Sequence, residues 1–213
     1  THEVGRRRFL TGKVPAGLQA RGSSASTWLA AHYGGHEAIP NLSVQVENYN
    51  RDQPNFATAL SVNSVDDLLR ALAPADPVLP TGVNQQVSQH LIDASLCPRG
   101  LKSRLWMKAE SSRGKAETMV EGALSELFNF RANNPEMEGI RDFYGFSRNQ
   151  TSSPEAQGAL AVQALTQGVS RSVSISVTTG LDTHFDDWAT DQGPDQARGF
   201  SVVSRIIEDL ARR

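Results

Sequence analysis

Apolar positions recur along this chain in two periods, and the period switches from segment to segment. Residues 40–46 alternate, with Leu42, Val44 and Val46 separated by polar residues, the period of two that marks a strand. Residues 172–177 alternate strictly, placing the β-branched Val173, Ile175 and Val177 on one face. Elsewhere the spacing is helical. Residues 7–31 read as a short helix, a Gly/Pro turn, a Gly-Ser loop and a second helix around Trp28. Ser64 is placed to cap a helix whose first turn carries Asp66 and Asp67 at the positive end of its dipole. Leu68, Leu69 and Leu72 give that helix a buried stripe, and Pro74 ends it.

Further helices are expected over 85–95 and over 116–131, where Val120, Leu124, Leu127 and Phe128 fall at helical spacing. Polar and Gly/Pro-rich loops are expected from there through Pro154. A helix over 155–169 carries Ala159, Val162 and Leu165 on one face. The last helix starts at Gly193-Pro194-Asp195, with Pro in its first turn, and its expected buried side is Phe200, Val203, Ile206, Ile207 and Leu210.

Helices alternating with isolated strands point to α/β architecture with a mainly parallel sheet. Two good strand candidates are few for 213 residues, so a partial sheet is expected. No internal repeat or low-complexity tract interrupts the pattern.

Composition narrows the class. Apolar residues make up 38%, charged 21% and aromatic 7%, the balance of a globular chain with room for a core. No apolar run reaches the roughly 18 residues of a membrane-spanning helix. A net charge of −2 argues against a nucleic-acid partner. Cys97 stands alone, which excludes an internal disulfide and a two-cysteine site. With Pro98 behind it, Cys97 reads as a small buried residue. Gly5 to Leu10 looks like the core of a twin-arginine export signal. However, Thr11, Gly12, Lys13 and Pro15 follow where an apolar stretch is required.

The candidate chemistry gathers past the second strand. In open α/β sheets, ligands bind beyond the carboxyl ends of the strands. Asp182 and His184 leave residues 172–177 there, as oxygen and nitrogen ligands suited to zinc, manganese or iron. The same pair fits a plainer arrangement, with Asp182 capping a turn and His184 making a loop hydrogen bond. Asp-X-His spacing does not separate the two. His32 and His36 enclose two glycines, which disfavours a metal-binding helix face. His90, beside Leu91 and Ile92, reads as surface or packing. No dinucleotide fingerprint, P-loop or nucleophile elbow is present.

Gly180-Leu181-Asp182-Thr183-His184, after an alternating strand and before a helix ending Ile206-Ile207-Glu208-Asp209-Leu210, resembles a segment of a bacterial family. That family is domain of unknown function 1501, within the alkaline-phosphatase/sulfatase-like superfamily. Thr1-His2, followed by an Arg-rich helix and Phe9-Leu10-Thr11-Gly12, is similar to the family's opening Ser/Thr-His segment. The likeness covers about a quarter of the chain, at its two ends, and 17–154 fit loosely. Arg6 and Leu10-Thr11-Gly12-Lys13-Val14-Pro15 also resemble the sulfatase signature. His2, however, stands where that signature has the cysteine matured to formylglycine.

The resemblance implies a three-layer, alkaline-phosphatase-like α/β fold, present as one partial domain over 1–213. A first strand before Thr1 and a segment after Arg213 would be missing. It implies export, to the periplasm or outside the cell, and a divalent metal, zinc, manganese or calcium, held by Asp182 and His184. Thr1, His2 and Arg6 would be the catalytic residues, with Arg6 binding an anion, and the substrate a small anionic ester. The alternative it leaves open is a non-catalytic exported binding or assembly protein of the same fold.

Overall fold

A computed structural model of the chain describes residues 2–73, 80–97, 103–121, 124–179, 181 and 188–213. The chain forms two compact units, residues 1–71 with 126–213, and residues 72–125.

The first unit is a mixed α/β domain built on a three-stranded parallel sheet. β1 (Asn41–Val44) lies between β2 (Leu60–Val62) and β3 (Ser172–Ile175). Leu42 is in register with Leu60 on one side and Val173 on the other. The alternating pattern of 40–46 suggested one wet face, yet all four β1 residues are buried. A central parallel strand is covered on both faces, and its polar residues must then find internal partners. Asn41 Nδ2 donates to the Ala57 carbonyl at 3.0 Å, and Ser43 Oγ to the Val46 carbonyl at 2.6 Å. β2 was not expected from the sequence, because three residues are too few to show a period.

Helices α1 (His2–Thr11) and α2 (Ala25–Tyr33) precede the sheet, as the spacing predicts. α2 packs on β1 and β3. α3 (Val65–Leu72) follows β2, and Ser64 Oγ accepts from Asp67 N at 3.1 Å, the expected cap. Val65, Leu68 and Leu72 are buried. The second unit holds α4 (Thr81–Ser95) and α5 (Arg104–Glu121), which pack on each other. Cys97, just beyond α4, is exposed rather than buried, as is its neighbour Leu96. Of the helix expected over 116–131, the described helical residues are those of α5 up to Glu121 and of the short helical turn α6 (Leu124–Leu127), and residues 122–123 lie outside the described residues. Phe128 and Phe130, beyond that turn, are core residues of the first unit.

The loops expected through Pro154 contain a helix, α7 (Pro135–Tyr144). Its signals are local. Asn134 Oδ1 accepts from Met137 N at 2.8 Å, Pro135 opens the first turn, and Gly145 at φ 77° closes the last. Met137, Ile140 and Tyr144 then bury one face. α8 (Pro154–Thr166), capped by Ser153, is buried on nearly every side and packs on β3, α7 and α9 (Gly193–Arg212).

α9 departs in part from its expected orientation: of the five expected apolar residues, Val203 and Ile206 are half-buried, with Ile206 beside Gly158 of α8, and the other three are exposed. Phe200 is 70% exposed and Ile207 63%, with Leu210 also exposed, while Val202 and Asp209 face inward. Polar contacts set this roll. Tyr144 Oη donates to Asp209 at 3.0 Å, Arg213 Nη1 donates to Gln163 at 2.8 Å, and Arg205 bonds the Tyr144 carbonyl. Burial pushes the Tyr144 phenol up, and the adjoining Asp209 carboxylate adds to the shift, so the tyrosine stays a neutral donor.

Candidate active site at the carboxyl edge of the sheet

The strand order β2-β1-β3 makes the carboxyl end of β1 a point where the chain turns to opposite sides. In open parallel sheets a crevice forms at such a point. Gln45 occupies it. Its φ is 57°, the one positive value at a non-glycine among the described residues. A left-handed backbone costs a residue with Cβ roughly 1–2 kcal/mol. Gln45 N nevertheless extends the ladder by donating to the Val62 carbonyl at 3.0 Å. Its Nε2 donates to the Asn63 carbonyl at 2.8 Å and the Ser152 carbonyl at 3.3 Å, bridging the exit of β2 and the approach to α8.

Two clefts meet at Gln45. The larger, about 660 Å³, is walled by Arg7, the 45–49 segment and residues 61–63. The smaller, about 170 Å³, is walled by Ser152, residues 176–179, Asp195 and Arg198. A third groove of about 660 Å³ lies between α1 and α2. Its walls, Phe9, Leu10, Trp28, Leu29, His32 and Tyr33 among them, carry no carboxylate, lysine or arginine.

The arginines of α1 reach the larger cleft through carboxylates. Arg6 Nη2 donates to Glu3 at 2.9 Å and to Glu47, just beyond β1, at 2.8 Å. Arg7, with its side chain 13% exposed, donates from Nη1 to Glu3 at 2.8 Å, while its buried Nε has no acceptor. Glu47 also accepts from Tyr49 Oη. Burial, followed by that bond to Glu47, pushes the Tyr49 phenol up. The cluster is thus charge-balanced, and an incoming anion competes with Glu47 and Glu3 for Arg6.

The small cleft is built from the exit of β3. Ser176 N donates to Gln157 Oε1 at 2.9 Å, and Gln157 Nε2 to the Ser152 carbonyl at 3.2 Å. Thr178 Oγ1 donates to the Asp195 carbonyl at 3.1 Å, and Gln192 Nε2 to the Leu181 carbonyl at 3.2 Å. Arg198 pairs with Glu155 at 2.9 Å across the starts of α9 and α8. Residues 176–179 and 181, which lead to Asp182, are therefore held by α8 and by the start of α9.

Of the expected site residues, Arg6 bonds Glu47 of the larger cleft but does not itself line either cleft. His2 opens α1, exposed, and is not among the residues lining either cleft. Thr1, Asp182 and His184 lie outside the described residues. Among the described residues no three His, Cys, Asp or Glu side chains form a group suited to a metal ion. No described helix is long and apolar enough to cross a membrane. Arg7, Gln45, Glu47 and Gln157 went unnoticed in the sequence. The amide- and acid-rich run 45–50 directly after an alternating strand was the available signal for Gln45 and Glu47. The buried Gln157, inside an otherwise small and apolar helix, had none. No protein-family model matches this chain, and no curated protein or solved structure shows significant similarity to it.

Proposed function

We propose that this chain carries part of a metal-dependent ester hydrolase site of the alkaline-phosphatase/sulfatase-like kind, at the carboxyl edge of its sheet. One observation carries the reading. Gln45 lines both clefts, so Arg7, with Arg6 bonded to Glu47 beside it, and the segment leading to Asp182 border one edge of a parallel sheet. Asp182 and His184 form a carboxylate–imidazole pair, a donor set that fits a divalent cation such as zinc, manganese or calcium. Glu47, a carboxylate lining the larger cleft, is engaged by Arg6 and Tyr49 and is not counted as a ligand. A cation bound there offsets the charge that develops on phosphoryl or sulfuryl oxygens. The Thr1 hydroxyl is the nucleophile of this reading, with His2 next to it in sequence although His2 lines neither cleft. The hydroxyl attacks phosphorus or sulfur as the ester oxygen departs and takes up the proton. Arg6 holds an anionic oxygen of a small ester after exchanging a carboxylate partner. The setting is an exported protein, periplasmic or extracellular.

The test is metal content together with turnover of p-nitrophenyl phosphate and sulfate. The expected result is stoichiometric metal, lost in an Asp182→Ala/His184→Ala double variant that stays folded. Absence of metal from the parent after loading and dialysis sinks the reading. A second reading, a non-catalytic binding or assembly protein of the same fold, is favoured by the charge balance at Arg6 and Arg7. It expects metal or ligand binding with no turnover of either ester.

A further inference from the structure

We propose that Gln45 is a positioning residue that fixes the spacing between the two clefts, and so the affinity of the edge for an anionic ester's phosphoryl or sulfuryl group. The inference rests on the proposed hydrolase reading of this edge. Three observations carry it. The residue adopts a backbone conformation that glycine or asparagine takes with less strain, yet a longer side chain stands there. Its carboxamide reaches from the end of the central strand to two loops, with Nε2 donating to the Asn63 and Ser152 carbonyls. Asn63 walls the larger cleft and Ser152 the smaller, so this one amide joins a wall of each. An outlier backbone held in place by its own side chain, at the switch point of a parallel sheet, is where strain accompanies a binding site. A ligand spanning from Arg7 to the 176–179 segment crosses Gln45, and its two ends are registered by this bridge.

Glycine and asparagine separate this role from a purely structural one. Gln45→Gly relaxes the backbone and removes the bridge. Gln45→Asn tolerates the left-handed region but is one methylene too short to reach both carbonyls. The whole chain is loaded with zinc, freed of excess metal and titrated with inorganic phosphate by calorimetry, with Tm recorded alongside. The expected result is that both variants keep the parent's Tm, or exceed it, and its zinc content, while phosphate binds about tenfold more weakly. Parent-like phosphate binding in both variants overturns the inference, as does a lowered Tm with unchanged binding. Zinc binding by the parent without phosphate binding overturns it too, but leaves the metal reading standing. A parent that binds no zinc removes the hydrolase reading and this inference together.

Discussion

Gly158 decides how closely α8 and α9 approach. A Cβ there would lie 3.0 Å from Val202 Cγ1 and 3.3 Å from Ile206 Cγ1 and Tyr144 Cε1. Helix propensity alone favours replacing a helical glycine, so alanine has opposed terms. Leucine does not, since its added volume meets three side chains at once. Gly158→Leu is expected to lower stability by about 2 kcal/mol in urea unfolding, the usual cost of overpacking. Tyr144→Phe keeps the ring in the core but removes the donor to Asp209, which is buried and keeps its bond from Arg213 Nε. A loss of ~1–2 kcal/mol is expected, the cost of an under-satisfied buried group. At this scale the chain is partly legible: Ser64, Ser153 and the Asn134-Pro135 pair announce helix starts because a cap acts within three residues. Gln157 and Asp209 are silent, because the bonds that tie them to Ser176 and Tyr144 span 19 and 65 residues.

α9 shows why the element is harder to read than its period. The spacing of Phe200, Val203, Ile207 and Leu210 marks a helix, and a helix forms. Which face turns inward is a separate matter, decided by Tyr144, Gln163 and Glu155 through Asp209, Arg213 and Arg198. Two substitutions on this helix should therefore behave opposite to expectation from hydropathy. Ile207→Ser is expected to change unfolding free energy by less than about 0.5 kcal/mol, as exposed sites do. Val202→Ala, a smaller chemical change, is expected to cost ~2 kcal/mol because Val202 is buried. Parallel urea titrations of the two variants check the roll directly, and a reversed order would contradict it. α7 teaches the converse. Its caps and its Met137, Ile140 and Tyr144 spacing were readable, but the polar, Gly/Pro-containing surroundings outweighed them.

Across the first unit, ion pairs join segments far apart in sequence. The Arg131 guanidinium donates to both Asp66 oxygens, at 3.1 and 2.6 Å, and Thr151 Oγ1 donates to the same carboxylate at 2.9 Å. Arg131 and Thr151 hold the Asp66 carboxyl below its usual range, against an opposing push from partial burial. A carboxyl lowered on folding contributes stability above its unfolded pKa of about 3.9, which is lost as pH falls through the lower folded value. Thermal stability should accordingly be flat near neutrality and fall below about pH 4. Asp66→Asn should lower stability near pH 7 and flatten that acid limb. An unchanged limb, measured by pH-stepped calorimetry, would show that other carboxylates carry the acid sensitivity.

By itself the sequence determined what neighbours along the chain can settle. It marked the strand over 172–177 that precedes Asp182, the strand around Leu42, the capped helix after Ser64 and the helix opening at Gly193, because periods and caps are short-range. It also read a short helix from residue 7, which the structure extends back to His2 as α1. Only the tertiary structure decided that β1 is central with three-residue β2 beside it, that α9 is rolled so that Phe200, Ile207 and Leu210 face outward, and that Gln45 takes a left-handed backbone between two clefts. Each depends on partners brought together from distant segments: a hydrogen-bonded ladder across 42, 60 and 173, a buried network around Asp209, and carbonyls at 63 and 152. Such pairings exist only once the chain has closed on itself, so no local pattern records them.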